Sequence, residues 1–237
     1  MIKNIGPTSL ISYISFTLIF FIIKNKFGFT GALWIWFFLI ISGIIQFINN
    51  LYITKYPEIC GAYNVSSALT ATLVPWICIF GLICLCLTTI SGWLRVFSNT
   101  FGVSIATLAG MNETVSKIFD KPTPTNQVVS EESLNISEAA NLLYANRNKF
   151  INEVDIRDYN EDPVTKKIDW PSLYSIMNFM KIPFEGKETE IKELYQKLLL
   201  KEDAGYFLWI LLIGGVSVLI STNSLLLSNC NSVEFNF

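Results

Sequence analysis

Two stretches of this chain hold the residue types that could do chemistry. The first, YPEICGAYNVSSALTATLVPW at residues 56–76, sets a thiol (Cys60), an amide (Asn64) and six hydroxyls (Tyr56, Tyr63, Ser66, Ser67, Thr70, Thr72) ahead of Pro75 and Trp76. A cysteine nucleophile needs a neighbouring base to draw off its proton. The 237 residues include no histidine, which removes the commonest general base and the commonest zinc ligand. The second stretch, DYNEDPVTKKID, puts Asp158, Asn160, Asp162 and Asp169 at positions one, three, five and twelve of a calcium-loop spacing. Its sixth position is Pro163, where the tight turn requires glycine, and no glutamate supplies the bidentate ligand. It reads as a solvated acidic loop. No acid pair or nucleophile–base arrangement occurs elsewhere, so we expect no catalytic residue, no metal and no cofactor.

The elements around these residues explain what they are for. Of the chain, 51% is apolar and only 15% charged, with a mean hydropathy of +0.45, far from a soluble domain. Charge is segregated. Residues 1–110 carry five basic side chains and one acid, whereas residues 111–204 carry twelve basic and seventeen acidic ones. Neither part has the basic density of a nucleic-acid footprint.

A helical span needs about 20 apolar residues, and four stretches supply them: about 8–23, 30–48, 65–91 and 206–227. Lipid offers the backbone no hydrogen-bond partner, so spans are helices or closed barrels, and the alternation of a barrel strand is absent. Lys24 and Lys26 look like the stop of an uncleaved anchor. The expected fold is an all-α membrane protein with about four transmembrane helices. The third span begins at Asn64, a capping residue type. Running to Ile90, it measures about 40 Å, longer than the hydrocarbon core. Pro75 should bend it, Trp76 should sit at headgroup level, and the hydroxyl-rich first half should be interfacial.

Residues 93–119 read as one amphipathic helix with a stripe of Leu94, Phe97, Phe101, Ile105, Leu108, Met111, Val115 and Ile118. Gly102, Ala106 and Gly110 repeat every fourth residue, the small-residue pattern that admits a neighbouring helix. Residues 120–205 form an acidic, mostly helical polar domain. It opens with a proline-containing linker, followed by helices from Ser137 to about Phe150, from Pro171, and from Thr189 to about Asp203. Gly205 is a possible hinge before the last span. A bundle this small has a marginal core, which suggests a docking surface.

With four spans, the loop holding Cys60 and the tail holding Cys230 share a side, where an oxidising compartment would let them pair. The other three cysteines lie in an apolar run and behave as small hydrophobes. The flanking lysines and Arg95 place the acidic segment in the cytoplasm.

At CGAYN (residues 60–64) and TLVPW (residues 72–76), between spans of a His-free, Asn/Ile/Phe-rich chain, the sequence resembles membrane-embedded minor capsid or inner-membrane virion proteins of nucleocytoplasmic large DNA viruses. The resemblance implies a structural protein of the virion's internal membrane, beneath the capsid, that uses its polar parts to bind capsid or other membrane proteins and has no catalytic residues. Through residues 93–119 and the acidic domain it would tie a bilayer to a protein layer. The alternative is a channel or transporter subunit with a path lined by the Ser/Thr side chains of residues 66–72.

Overall fold

The computed structural model describes residues 5–27, 33–119, 142, 145–146, 152–180 and 182–227. Its elements are α1 (Ile5–Phe27), α2 (Leu33–Thr54), α3 (Val65–Pro75), a π-helical turn (Trp76–Gly81) and α4 (Leu82–Thr89). There follow α5 (Ser91–Phe97), a second π-helical turn (Ser98–Gly102), α6 (Val103–Leu108), α7 (Met111–Ile118), β1 (Asn160–Glu161), β2 (Ile168–Asp169), α8 (Pro171–Phe179) and α9 (Glu188–Leu227). The chain divides into two compact units, one of Met1–Leu94 with Tyr206–Phe237 and one of Arg95–Gly205.

The first unit is an all-α membrane bundle. Among the described residues, four helices are long and apolar enough to cross a bilayer: α1, α2, the continuous run Val65–Thr89, and α9. At 40 residues α9 is about 60 Å long, twice the hydrocarbon thickness, and only its apolar residues 206–227 are suited to lipid. α2 is the central element, packed on α1 and on the third span. The burial pattern is inverted relative to a soluble protein. Ser9, Thr17, Ser42, Gln46, Asn50, Thr54, Thr72, Ser217, Ser221 and Thr222 are buried, while Ile11, Ile19, Ile22, Ile40 and Ile77 are exposed. Lipid tails are as apolar as leucine, so nothing drives large aliphatic side chains inward; small and polar residues take the helix–helix contacts. An aromatic cluster fills the remaining interior: Tyr13, Trp34, Phe38, Trp76 and Phe80 are buried, and Phe20 meets Phe38 edge to face at 4.9 Å.

The third span matches its expected bounds to within two residues and departs from expectation at Trp76. It ends at Thr89, because Ile90 is extended (φ −109°, ψ 99°). Pro75 is followed by the π-helical turn, which absorbs the missing amide donor and turns Trp76 and Phe80 inward. Trp76, expected as a ring at headgroup level, is packed into the bundle. It is buried, its indole rests on Gly43, where a Cβ would sit 3.0 Å from the ring, and its N–H donates to the Leu39 carbonyl at 3.2 Å.

The second unit is built as soluble domains are. Trp170, Leu173, Met177, Ile191, Leu194 and Leu198 are buried together with Met111, Val115 and Ile118. The Trp170 indole donates to the Asp155 carbonyl at 2.8 Å, and Tyr159 stacks on Tyr195 at 3.8 Å. The expected single helix over residues 93–119 is broken. Gly110 takes a left-handed conformation (φ 87°) and starts α7, a geometry that glycine adopts without strain. The Lys197 ammonium donates to the Gly110 carbonyl at 3.1 Å, where α7 begins, and the Lys187 ammonium to that of Ile118 at 2.6 Å, so a lysine satisfies the C-terminus of α7. The apolar stripe splits at this break. Met111, Val115 and Ile118 enter the core, whereas Phe101, Ile105 and Leu108 stay exposed.

Candidate functional site

The residues with chemical potential converge in the first unit on a buried polar junction. Gln46 and Asn50 lie one turn apart on α2, Thr72 is on α3, and Ser221 and Thr222 are near the end of α9. Asn50, fully buried, is the hub: its amide donates to the Thr72 hydroxyl at 2.8 Å and to the Ser221 hydroxyl at 2.7 Å. Its carbonyl oxygen accepts from the Gln46 amide at 3.0 Å, and that amide also reaches the Thr222 hydroxyl at 3.4 Å. The Thr72 hydroxyl in turn donates to the Ala68 carbonyl at 2.8 Å. Three helices are thus tied through one side chain. In a bilayer, such amide and hydroxyl bonds contribute about 0.6 kcal/mol each on average. A one-turn slip of any helix would leave Asn50 donors unmet in an apolar interior, so the junction fixes register.

Two further bonds extend the pattern. The Tyr13 hydroxyl donates to the Ile210 carbonyl at 2.8 Å, in space that exists because residue 214 is glycine; a Cβ at Gly214 would overlap that hydroxyl. The Asn49 amide donates to the Ser9 hydroxyl at 2.8 Å. The space enclosed by these α1 and α2 side chains, including Ser9, Tyr13, Gln46 and Asn49, is about 10 Å³, at most one water.

The residues singled out from the sequence distribute unevenly. Asn64 caps α3, its side chain accepting from the Ser67 amide at 3.0 Å, and its own amide donates to the Thr54 hydroxyl at 3.0 Å. The hydroxyls of residues 66–72 do not share a face: Ser66 and Thr70 point outward, and Thr72 points into the junction. Cys60 is disulfide-bonded. Cys78, Cys84 and Cys86 are free, and Cys230 lies outside the described residues. The helix expected over Ser137 to Phe150 also falls mostly outside them. The sequence reading does not single out Gln46, Asn50 or Tyr13, although two amides four residues apart in an apolar span are a readable signal of interhelical bonding.

In the second unit the small residues act unequally. Gly102 lies against α9, where a Cβ would overlap the Lys201 carbonyl, and Ala106 is fully buried. Gly110 serves the turn and not close packing. Gly205, expected as a possible hinge, lies inside the continuous helix α9, with the Ser98 backbone within 2.9 Å of where its Cβ would be.

The calcium-like spacing is spent on a solvent-exposed hairpin. Asn160 pairs with Asp169 across β1 and β2. Asp158 accepts from the amide of Ser172, in the first turn of α8, at 2.8 Å, and Asp162 holds the turn by accepting from the Val164 amide at 2.7 Å. Lys192 bonds Glu161 at 2.9 Å, which holds that carboxyl below its usual range. Among the described residues, no group of three His, Cys, Asp or Glu side chains converges on a metal-sized site.

One cluster of ionisable groups stands apart. Lys201, Glu202 and Asp203 occupy the turn of α9 that precedes the apolar residues, and Lys201 and Asp203 are buried. Burial pushes the Glu202 carboxyl up to about 7 and the Lys201 ammonium down to about 8, with each charge partly offsetting the shift of the other. The chain matches no protein-family model, no curated protein and no solved structure.

Proposed function

We propose that this chain is a structural multi-span membrane protein that ties a lipid bilayer to a protein layer, without catalytic turnover. The observation that carries this reading is that the amide and hydroxyl side chains of the α2–α3–α9 junction are committed to one another. Asn50, Gln46, Thr72, Ser221 and Thr222 bond across helices, and no Asp, Glu, Lys or Arg occurs in residues 33–54, 65–89 or 206–227. Pumps and proton relays keep ionisable groups at membrane depth; this bundle spends its polarity on fit. The separately cored acidic unit supplies the surface for a protein partner. Together with the resemblance at residues 60–64 and 72–76, this makes the internal membrane of a large DNA virus, beneath its capsid, the candidate setting, with a role as a minor capsid protein. The channel reading has less support, because Thr72 faces the junction while Ser66 and Thr70 face outward.

Mass spectrometry of the isolated particle or organelle tests the proposal. The chain should stay with the membrane fraction through alkaline carbonate, occur at a fixed ratio to one shell protein, and cross-link to that protein through lysines of residues 152–205. A conductance in liposomes that changes with Thr72→Val would overturn it.

A further inference from the structure

We propose that Cys60 and Cys230 form a disulfide clasp that locks the end of the last span to the loop between α2 and α3. A thiol–disulfide oxidant on the side of the bilayer that holds this loop makes the bond. Cys60 is disulfide-bonded, while Cys78, Cys84 and Cys86 are free. The chain has five cysteines, so the thiol left to pair with Cys60 is Cys230. The described residues bring the two ends of such a bond together. Leu225, in the last turn of α9, is buried with Ile53 of α2 and Ala71 of α3, and Ile59 packs on the same cluster. Cys60 follows Ile59 directly, and Cys230 lies three residues beyond Leu227, a reach of about 10 Å. A disulfide needs its Cα atoms about 4.4–6.8 Å apart, a separation that this tail can close.

The loop fixes Cys60 in place. The amides of Cys60 and Gly61 donate to the Tyr56 carbonyl at 3.2 and 3.0 Å, and Gly61 takes a left-handed conformation (φ 72°). The clasp adjoins the polar junction: Asn50 lies one turn before Ile53, and Ser221 one turn before Leu225. Hydrogen bonds at the junction set the register of α9, and the covalent bond then holds it. Closing the clasp removes two electrons and two protons from the thiols, and a disulfide accepts them. One cysteine thiolate attacks the oxidant's disulfide and displaces one of its sulfurs. The other cysteine thiolate attacks the mixed disulfide, forms the Cys60–Cys230 bond and releases the second sulfur. The two protons end on the released sulfurs, so the oxidant leaves as two thiols. The loop and the tail therefore face a compartment in which disulfides persist. This inference rests on the membrane assignment and not on the role in linking a bilayer to a protein layer.

The test uses the full chain in detergent, isolated with its free thiols blocked. Non-reducing peptide mapping should find the peptides of Cys60 and Cys230 joined, and reductant should separate them. The reduced, unblocked chain treated with glutathione disulfide should regain the joined peptides and release two glutathione thiols per chain. Cys60→Ser, Cys230→Ser and the double substitution should each lower the thermal midpoint of the bundle by the same several degrees, because either change alone opens the clasp. If a variant fails to fold, the peptide map of the wild-type chain decides alone. A free Cys60 thiol, a glutathione adduct that stays at Cys60, or a Cys60–Cys60 link between two copies would overturn the pairing. Midpoint losses that add in the double variant would overturn the clasp.

Discussion

The two units of this molecule solve opposite packing problems with one polypeptide. In Arg95–Gly205 the large apolar side chains are inside: Trp170, Leu173, Ile191 and Leu194 have essentially no exposed surface, and the charges are mostly outside. In the bundle Ser42, Gln46, Asn50, Thr72 and Ser221 are inside, and Ile11, Ile22, Ile40 and Ile77 are outside. The difference follows from the solvent. Water drives apolar area together at about 25 cal/mol per Å², whereas lipid provides no such drive and leaves cohesion to close fit and interhelical bonds. The same residue type therefore means different things in each half. Leu173 reports the core in the second unit, Leu82 the lipid-facing surface in the first, and the buried Asn50 of the first is a fastener.

That contrast is broken most severely by changes at the tightest contacts. Trp170→Ala should cost the second unit about 3–5 kcal/mol, seen as rapid proteolysis of residues 152–205 while the spans stay protease-resistant in membranes. Gly214→Leu should do the reverse. Overpacking against Tyr13 should cost about 3 kcal/mol and lower the thermal stability of the detergent-solubilised bundle, leaving the Trp170 core intact. Asn50→Leu should cost only about 1–2 kcal/mol, since membrane hydrogen bonds are individually modest; an effect as large as that of Trp170→Ala would show that the bundle depends on polar cohesion more than on fit.

The pH response sharpens the comparison, because Lys201 and Glu202 both belong to the second unit, outside the apolar spans. Glu202 holds its proton more tightly folded than unfolded, so its contribution to stability is full below its ordinary value of 4.5 and is lost as pH rises through about 7. Lys201 is shifted the other way, from 10.5 to about 8, so its contribution appears as pH rises above about 8 and is complete above 10.5. The second unit should therefore be least stable between about pH 7 and 8, and Glu202→Gln should flatten the decline between pH 5 and 7 in a denaturation series. The smallest effect concerns thiols. Under non-reducing, detergent-solubilised conditions maleimide should label Cys78 and spare Cys60, and reductant should add Cys60 to the labelled set.

Much of the architecture is legible in the sequence because it is written in short-range pattern. Runs of apolar residues locate four spans to within a few positions, Pro171 begins α8, and Ile191, Leu194 and Leu198 show the buried face of α9 at helical spacing. The breaks are not legible in the same way. Nothing in the local pattern around Gly110 separates a glycine that admits a neighbouring helix from one that turns the chain. The distinction depends on Lys197, 87 residues away, meeting the Gly110 carbonyl. Gly205 likewise has the look of a hinge, and its role appears only when Ser98 is placed against it.

By itself the sequence determined the solvent of each segment, because transfer energies add residue by residue and need no knowledge of neighbours. It determined in the same way that no histidine serves this chain. Tertiary structure alone decided which groups meet: that Asn50 bonds Thr72 and Ser221, that Trp76 lies on Gly43, and that Tyr13 fills the space left by Gly214. The physical reason is that a hydrogen bond is worth having only at one distance and angle, and the helices supplying the two ends of these bonds are up to 197 residues apart in the chain.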